Sequence, residues 1–92
     1  MIARADDEPI DIRRKRLIHR SRYTGMKETD LLLGAFAQRY VPGFDAAQLD
    51  EYERLLEETD VDLFDWATGR AAVPERCQSA VMRLLQHFKD VV

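Results

Sequence analysis

The 92-residue chain is poor in the residue types that make disulfides and metal sites. Cys77 is its single cysteine, so no internal disulfide can form, and a lone cysteine at helical spacing is usually a small buried hydrophobic residue. The two histidines, His19 and His87, lie far apart in the sequence and outside any motif with metal-ligand spacing. No apolar run approaches the roughly 18–20 residues that cross a bilayer, so we expect no membrane insertion.

Catalytic and nucleotide-binding motifs are also missing from the sequence. The four glycines are isolated from one another, which argues against a glycine-rich phosphate loop. The carboxylates between residues 45 and 65 alternate with apolar residues at helical spacing, as on a solvated helix face. No HExxH, CxxC or Ser/His/Asp arrangement is present. We therefore predict that the chain is not an enzyme, has no metal site and binds no cofactor stably.

The first nine residues are polar and acidic and end at Pro9. We predict that residues 1–9 form a flexible lead-in and that residues 10–92 form one helical domain, the number that this length favours. Residues 1–8 lack the apolar core of a secretion signal, and their acidic groups disfavour a mitochondrial transit peptide. On these grounds we expect a bacterial cytoplasmic protein.

Apolar residues recur at helical spacing along the rest of the chain, and no segment alternates as a strand does. Glycine, proline and capping residues divide this pattern into five predicted helices: Asp11 to Tyr23 with Asp11 as the N-cap, Lys27 or Thr29 to Tyr40, a third from a capping box of Asp45 and Gln48 to Thr59, Val61 to Thr68, and a fifth that Pro74 opens and that continues through Phe88. The pattern predicts an all-α fold, a compact five-helix bundle in a single domain.

Charge is unevenly distributed along the chain. Residues 1–27 carry eight basic and four acidic groups, net +4, whereas residues 28–65 carry two basic and eleven acidic groups, net −9. Basic side chains cover most of the first helix, so we expect this helix to be largely solvated or to reserve one face for something else. We expect the acidic side chains of the third helix to face water. Because the acidic middle repels phosphates, the distribution disfavours a nucleic-acid partner and favours a protein partner.

Two other functional classes remain open on these patterns. Arg13-Arg14-Lys15-Arg16 is a cluster of the kind that contacts phosphates, as in a small nucleic-acid-binding helical domain. An antitoxin-like protein, or another protein-binding helical adaptor, would use oppositely charged faces equally well.

The segment from Arg20 to Glu28 is the strongest candidate for a functional surface. Gly25 can end one helix by adopting a positive φ, and Glu28 falls in the first turn of the next helix, where a negative charge is favoured. Basic and aromatic residues surround both positions. A glycine here would let a partner backbone approach closely, while charged neighbours make hydrogen bonds across the contact.

Two motifs of this chain resemble the succinate dehydrogenase assembly factor 2 family, whose bacterial members are called FAD assembly factors. The first is Gly25-Met26-Lys27-Glu28, which follows an arginine-rich helix and continues as Asp30-Leu31-Leu32-Leu33-Gly34-Ala35-Phe36-Ala37. The second is Asp60-Val61-Asp62-Leu63-Phe64-Asp65-Trp66. The resemblance covers roughly residues 11–90, and the two motifs in this order are more specific than either alone.

The resemblance implies a five-helix protein that binds the flavoprotein subunit of succinate dehydrogenase, and in some bacteria that of fumarate reductase. Such a protein promotes covalent attachment of FAD to a histidine of the partner, and we expect it to act as a monomer. The family signature Arg-Gly-x-x-Glu maps its glycine and glutamate onto Gly25 and Glu28, but Thr24 stands where the family has arginine. Arg22, two residues earlier, is the candidate replacement. The predicted partner-binding residues are Arg20, Arg22, Gly25, Met26 and Glu28.

Overall fold

Five α-helices and two 3-10 turns form the architecture of the computed structural model, which describes residues 8–91. The helices are α1 (Ile10–Ser21), α2 (Lys27–Tyr40), α3 (Ala46–Leu55), α4 (Asp60–Ala67) and α5 (Ala80–Val91), with 3-10 turns at Val41–Gly43 and Glu75–Cys77. The described part of the chain contains no strand, so the predicted all-α fold of five helices is confirmed. Over the same range, no helix has the length and apolar character needed to span a membrane.

A cluster of aromatic rings lies at the centre of the core. Phe36 of α2 is fully buried, and its ring centroid lies 5.6 Å from Tyr52 of α3 and 5.8 Å from Phe88 of α5. Phe44, in the segment between α2 and α3, packs edge-on at 6.2 Å. Tilted and edge-on aromatic pairs add about 0.5–1.5 kcal/mol each beyond area burial, so Phe36 fastens three parts of the chain together.

Some of the predicted helix ends are confirmed and others are wrong. Asp45 and Gln48 form the predicted capping box at the start of α3, and Gly69 has the positive φ of 80° expected just past α4. The prediction of Asp11 as the N-cap of α1 is wrong, because Pro9 occupies that position. Asp11 lies in the first turn instead, where its carboxylate accepts a hydrogen bond from Arg14 at 2.8 Å.

The predicted start of the fifth helix is also wrong. Pro74 precedes the 3-10 turn Glu75–Cys77, and Gln78 is then extended, with φ −73° and ψ 126°, which interrupts the helix. α5 begins only at Ala80, where the Ser79 hydroxyl accepts a hydrogen bond from the Met82 N–H at 3.0 Å. The predicted apolar stripe still faces the core, since Cys77, Val81, Leu85 and Phe88 are buried.

The basic surface of α1 faces the acidic helix α3, so one face of α1 is reserved, as one of the two predicted alternatives has it. The prediction of a solvated acidic face on α3 is wrong for Glu53, whose side chain is only 22% exposed. Arg13 is only 9% exposed, and its guanidinium donates to Asp50 at 2.7 Å and to Glu53 at 2.9 Å. Arg16 also pairs with Glu53, at 3.1 Å. The opposite charges of the two segments therefore meet within the molecule, because packing α1 on α3 places them face to face.

Other arginines of α1 are also engaged within the fold. Arg14 donates to the Phe44 carbonyl at 2.7 Å, and Arg16 pairs at 3.0 Å with Glu8, which belongs to the predicted lead-in. Residues 1–7 of that predicted lead-in lie outside the described range. Three of the four cations in Arg13-Arg14-Lys15-Arg16 therefore already have acceptors within the fold, which disfavours phosphate binding by this cluster.

Candidate functional site

The candidate site is built on the turn that joins α1 to α2. We call residues 22–26 the Gly25 turn. Arg22 caps the end of α1 with its N–H directed at the His19 carbonyl at 3.1 Å, and Met26 is the N-cap residue of α2. Between them, Gly25 has a φ of 114°, a conformation that side-chain-bearing residues rarely adopt. The positive φ predicted for Gly25 is confirmed, but its predicted role in ending the helix is wrong, because α1 ends at Ser21 with Arg22 as its C-cap.

Asp30 ties the Gly25 turn to the first turn of α2. One oxygen of its carboxylate, Oδ1, accepts hydrogen bonds from both the backbone N–H and the hydroxyl of Thr24. The Thr24 hydroxyl, the Thr24 N–H and the Gly25 N–H together lower the pKa of Asp30 below its usual value. Asp30 was not among the predicted partner-binding residues, although an acid in a first helical turn is a signal of such a helix start.

The two motifs that are far apart in the sequence meet in space at Asp60. A Cβ added to Gly25 would lie 3.2 Å from Asp60 Oδ2, at the N-terminal end of α4. The hydroxyl of Thr29, which is fully buried, donates to the Asp60 carbonyl at 3.0 Å. A side chain at position 25 would therefore require a strained backbone conformation and would lie close to the Asp60 carboxylate. No local signal in the sequence predicts the contact of Thr29 with Asp60 across 31 residues.

Exposed side chains project from the same region. Glu28 is exposed in the first turn of α2, and Leu31, three residues later on the same side of the helix, is 66% exposed. Tyr23 is 70% exposed, and its ring lies 4.9 Å from that of His19. Val61, next to Asp60, is 52% exposed. A carboxylate beside large exposed apolar groups is the composition of a protein-binding surface.

The side chains of the two predicted arginines, Arg20 and Arg22, make contacts with other parts of the fold. Arg20 is half-exposed and donates to the Leu56 carbonyl at 2.9 Å, so it is anchored on α3 beside the Gly25 turn. The Arg22 side chain runs over Gly34, and its guanidinium lies 3.5 Å from the Gln38 side-chain oxygen. Gln38 is ten residues beyond Glu28, about 15 Å along the helix axis. The structure thus brings Gly25, Met26 and Glu28 together but directs the Arg22 guanidinium away from them.

A shallow recess adjoins the Gly25 turn. Its lining comes from the end of α1, the turn after α3 and the start of α4: Arg20, Tyr23, Thr24, Leu56, Glu58, Asp60 and Leu63. Its volume of about 170 Å³ compares with the roughly 150 Å³ cavity that holds a benzene molecule, so it has room for one protein side chain. Among the described residues, no group of three or more His, Cys, Asp and Glu side chains is arranged to hold a metal ion.

Comparison with known proteins gives one matching family and several similar proteins. The model of the Sdh5 family, described as "Flavinator of succinate dehydrogenase", matches residues 15–89. The chain is 46% identical over 83 residues to the mitochondrial succinate dehydrogenase assembly factor 2 of Debaryomyces hansenii, which covers 86% of this chain and 58% of that protein. It is 41% identical over 87 residues to the mitochondrial succinate dehydrogenase assembly factor 2-B of Drosophila ananassae, covering 91% of this chain and 53% of that protein.

The relatives are longer than this chain, and their names state a location in the cell. The chain spans only 53–58% of the length of the two relatives. Both are named as mitochondrial, as is the Scheffersomyces stipitis assembly factor 2, which is 44% identical over 85 residues, 88% of this chain and 57% of that protein. The prediction of a bacterial cytoplasmic location is therefore contradicted. It rested on the composition of residues 1–8, and such a short segment does not determine a compartment.

Proposed function

The chain belongs to the Sdh5 family of flavinators of succinate dehydrogenase, and from this premise we propose that it binds the succinate dehydrogenase flavoprotein subunit and promotes its covalent flavinylation. The observation that carries the proposal is the family match over residues 15–89, which include both motifs and the whole candidate site. Relatives named as assembly factors support a binding role over an enzymatic one.

The partner would be bound at what we call the docking edge, which comprises residues 23–28 and the exposed side chain of Leu31. Three properties support this choice. Gly25 presents a backbone without a side chain, Glu28 offers an exposed carboxylate, and Tyr23 and Leu31 supply exposed apolar area. Aromatic and apolar anchors beside a charged hydrogen-bonding group are the usual sources of affinity at such contacts. Met26 belongs to the edge and Arg20 flanks it, whereas Arg22 would contribute from outside it.

Binding at the docking edge would accelerate flavinylation by positioning groups of the partner. Attachment joins the flavin to a histidine of the partner, so this chain need supply no catalytic group. A protein that binds one conformation of its partner shifts the population toward that conformation and can align reacting groups there. Glu28 would then act as a hydrogen-bond acceptor at the interface and not as a general base.

We propose that the chain acts on FAD attachment without holding FAD stably itself. The recess beside the docking edge, about 170 Å³, is smaller than the roughly 300–1,000 Å³ typical of small-molecule sites. It is large enough for a single side chain of the partner. The flavin would accordingly be held by the partner throughout.

The proposal extends to the flavoprotein subunit of fumarate reductase as a second client, and to a monomeric acting form. Covalent flavin in each client, assayed separately in cells with and without this protein, tests the first extension. Light scattering of the purified chain tests the second, and a mass of twice the monomer would refute it.

The proposed function is tested by deleting the gene in its native cell and measuring flavin fluorescence in the denatured flavoprotein band. We expect covalent flavin to fall, to return with the wild-type chain and to stay low with Glu28→Ala. Glu75→Ala is the matched control, because Glu75 is also an exposed glutamate but lies in the 3-10 turn before α5. Undiminished covalent flavin after deletion would refute the function, and full activity of Glu28→Ala would refute the docking edge.

A further inference from the structure

Asp30 and Thr24 are joined by two hydrogen bonds at the docking edge, and the family signature does not have this threonine. Asp30 Oδ1 receives two donors from Thr24, its backbone N–H and its hydroxyl. An arginine, the family residue at position 24, could supply the first donor but has no hydroxyl for the second. The bond from the Thr24 hydroxyl to Asp30 is therefore particular to the residue that this chain has at position 24.

We infer that Asp30 is a positioning residue for partner docking, which holds the Gly25 turn in its binding conformation through Thr24; this inference rests on the proposed function. The turn depends on these hydrogen bonds because glycine is the most conformationally free residue and Gly25 is exposed. A turn that fluctuates must be ordered when the partner binds, which weakens binding. The hydrogen bonds of Asp30 order the Gly25 turn before the partner binds.

Packing of the neighbouring groups supports this role over a purely structural one. Asp60 also lies close to the turn, since its Oδ2 would be 3.2 Å from a Cβ added to Gly25. The connection from α2 to α4 is made separately by buried Thr29. Loss of the Asp30 carboxylate would therefore loosen the turn while the contact between α2 and α4 remains. Arg22 cannot substitute, because its guanidinium lies beside Gln38.

The size of the effect follows from the fraction of molecules in the binding conformation. If the hydrogen bonds between Thr24 and Asp30 raise that fraction from about one tenth to nearly one, their loss weakens the apparent affinity for the partner about tenfold. Thr24→Val removes the hydroxyl but keeps the backbone donor, so we expect a loss of about threefold. Thr24→Ser keeps both donors and should bind as the wild type does.

The test measures the affinity of purified variants for the purified flavoprotein subunit, together with their melting temperatures and the amide hydrogen exchange of the free proteins. Asp30→Ala should bind about tenfold more weakly and exchange faster at Thr24 and Gly25, while core amides in α3 keep their protection. Asp11→Ala is the matched control, since Asp11 is likewise an acid in a first helical turn.

Each outcome decides a different claim. Wild-type affinity in Asp30→Ala would overturn the positioning role, and so would equal weakening by Thr24→Ser and Thr24→Val. A weakened Asp30→Ala whose melting temperature falls and whose core amides lose protection would overturn it in favour of a general structural role. If the wild-type chain itself fails to bind the flavoprotein subunit, the proposed function is refuted, and the docking role of Asp30 with it.

Discussion

Replacing Arg13 by methionine should destabilise the fold by about 1–3 kcal/mol, although the change leaves the docking edge untouched. The guanidinium donates to Asp50 at 2.7 Å and to Glu53 at 2.9 and 3.1 Å. Buried hydrogen bonds to charged groups are worth about 1.5–3 kcal/mol. The Asp50 side chain is 61% exposed, so its share belongs with surface pairs at about 0–1 kcal/mol. Glu53 is 22% exposed and keeps Arg16 as a partner, which limits the loss further.

Urea unfolding monitored by the fluorescence of Trp66, the single tryptophan and only 5% exposed, measures this loss. A change of about 2 kcal/mol corresponds to a fall in melting temperature of about 8–16 °C for a domain of this size. Lys15→Met is the control, because Lys15 is an exposed cation on the same helix, and it should change stability by less than about 0.5 kcal/mol. A methionine variant at position 13 as stable as the wild type would refute the idea that the pairing of α1 with α3 stabilises the fold.

Three further predictions concern the capping box, a buried hydroxyl pair and pH. Asp45→Ala removes the capping box and should cost about 1 kcal/mol in thermal unfolding. Ser21→Ala leaves the buried Tyr52 hydroxyl without its partner and should cost about 1–3 kcal/mol, much of which Tyr52→Phe in the same chain should recover; no recovery would contradict the pairing. Burial alone would raise the pKa of Glu53, but its arginine partners hold it below the usual 4.5. Its stabilisation is therefore present at neutral pH and lost as the pH falls below about 4.5, which acid unfolding of Glu53→Gln against the wild type measures.

The helices could be predicted because their signals are local. The spacing of apolar residues marks α2 and α3, and the capping box and Gly69 mark ends within a residue or two of where the structure has them. The start of α5 was missed because Pro74 is a genuine start signal that here opens only a 3-10 turn. The Ser79 hydroxyl, which accepts a hydrogen bond from the Met82 N–H, marks the start of α5.

The charge pairing could not be predicted because it depends on which faces meet. Arg13 and Glu53 are 40 residues apart, and counting charges along the chain does not reveal that they lie within 2.9 Å. The unequal charge of the two segments was therefore interpreted as two surfaces for a partner, whereas much of it is neutralised within the fold. Only the packing of α1 on α3 distinguishes these cases.

The candidate site combines residues that were predicted with residues that only the fold brings to it. Gly25 and Glu28 came from the family signature, and both are exposed, Gly25 in the turn after α1 and Glu28 in the first turn of α2. Asp30 and Asp60 were not predicted as parts of that site, because their roles come from hydrogen bonds and contacts made after folding. Arg22 was chosen for its charge and nearness in sequence, and its side chain points along α2 instead.

The affinity of the purified chain for the succinate dehydrogenase flavoprotein subunit, compared between Gly25→Arg and Gly69→Arg, tests the docking edge most directly. Both glycines have a positive φ, so both substitutions carry a backbone cost of about 1–3 kcal/mol, and the pair controls for lost stability. Gly69 is exposed, with no atom within 4 Å of an added Cβ. We predict that Gly69→Arg binds the subunit as the wild type does and that Gly25→Arg does not. Equal binding by the two variants would contradict docking through the Gly25 turn.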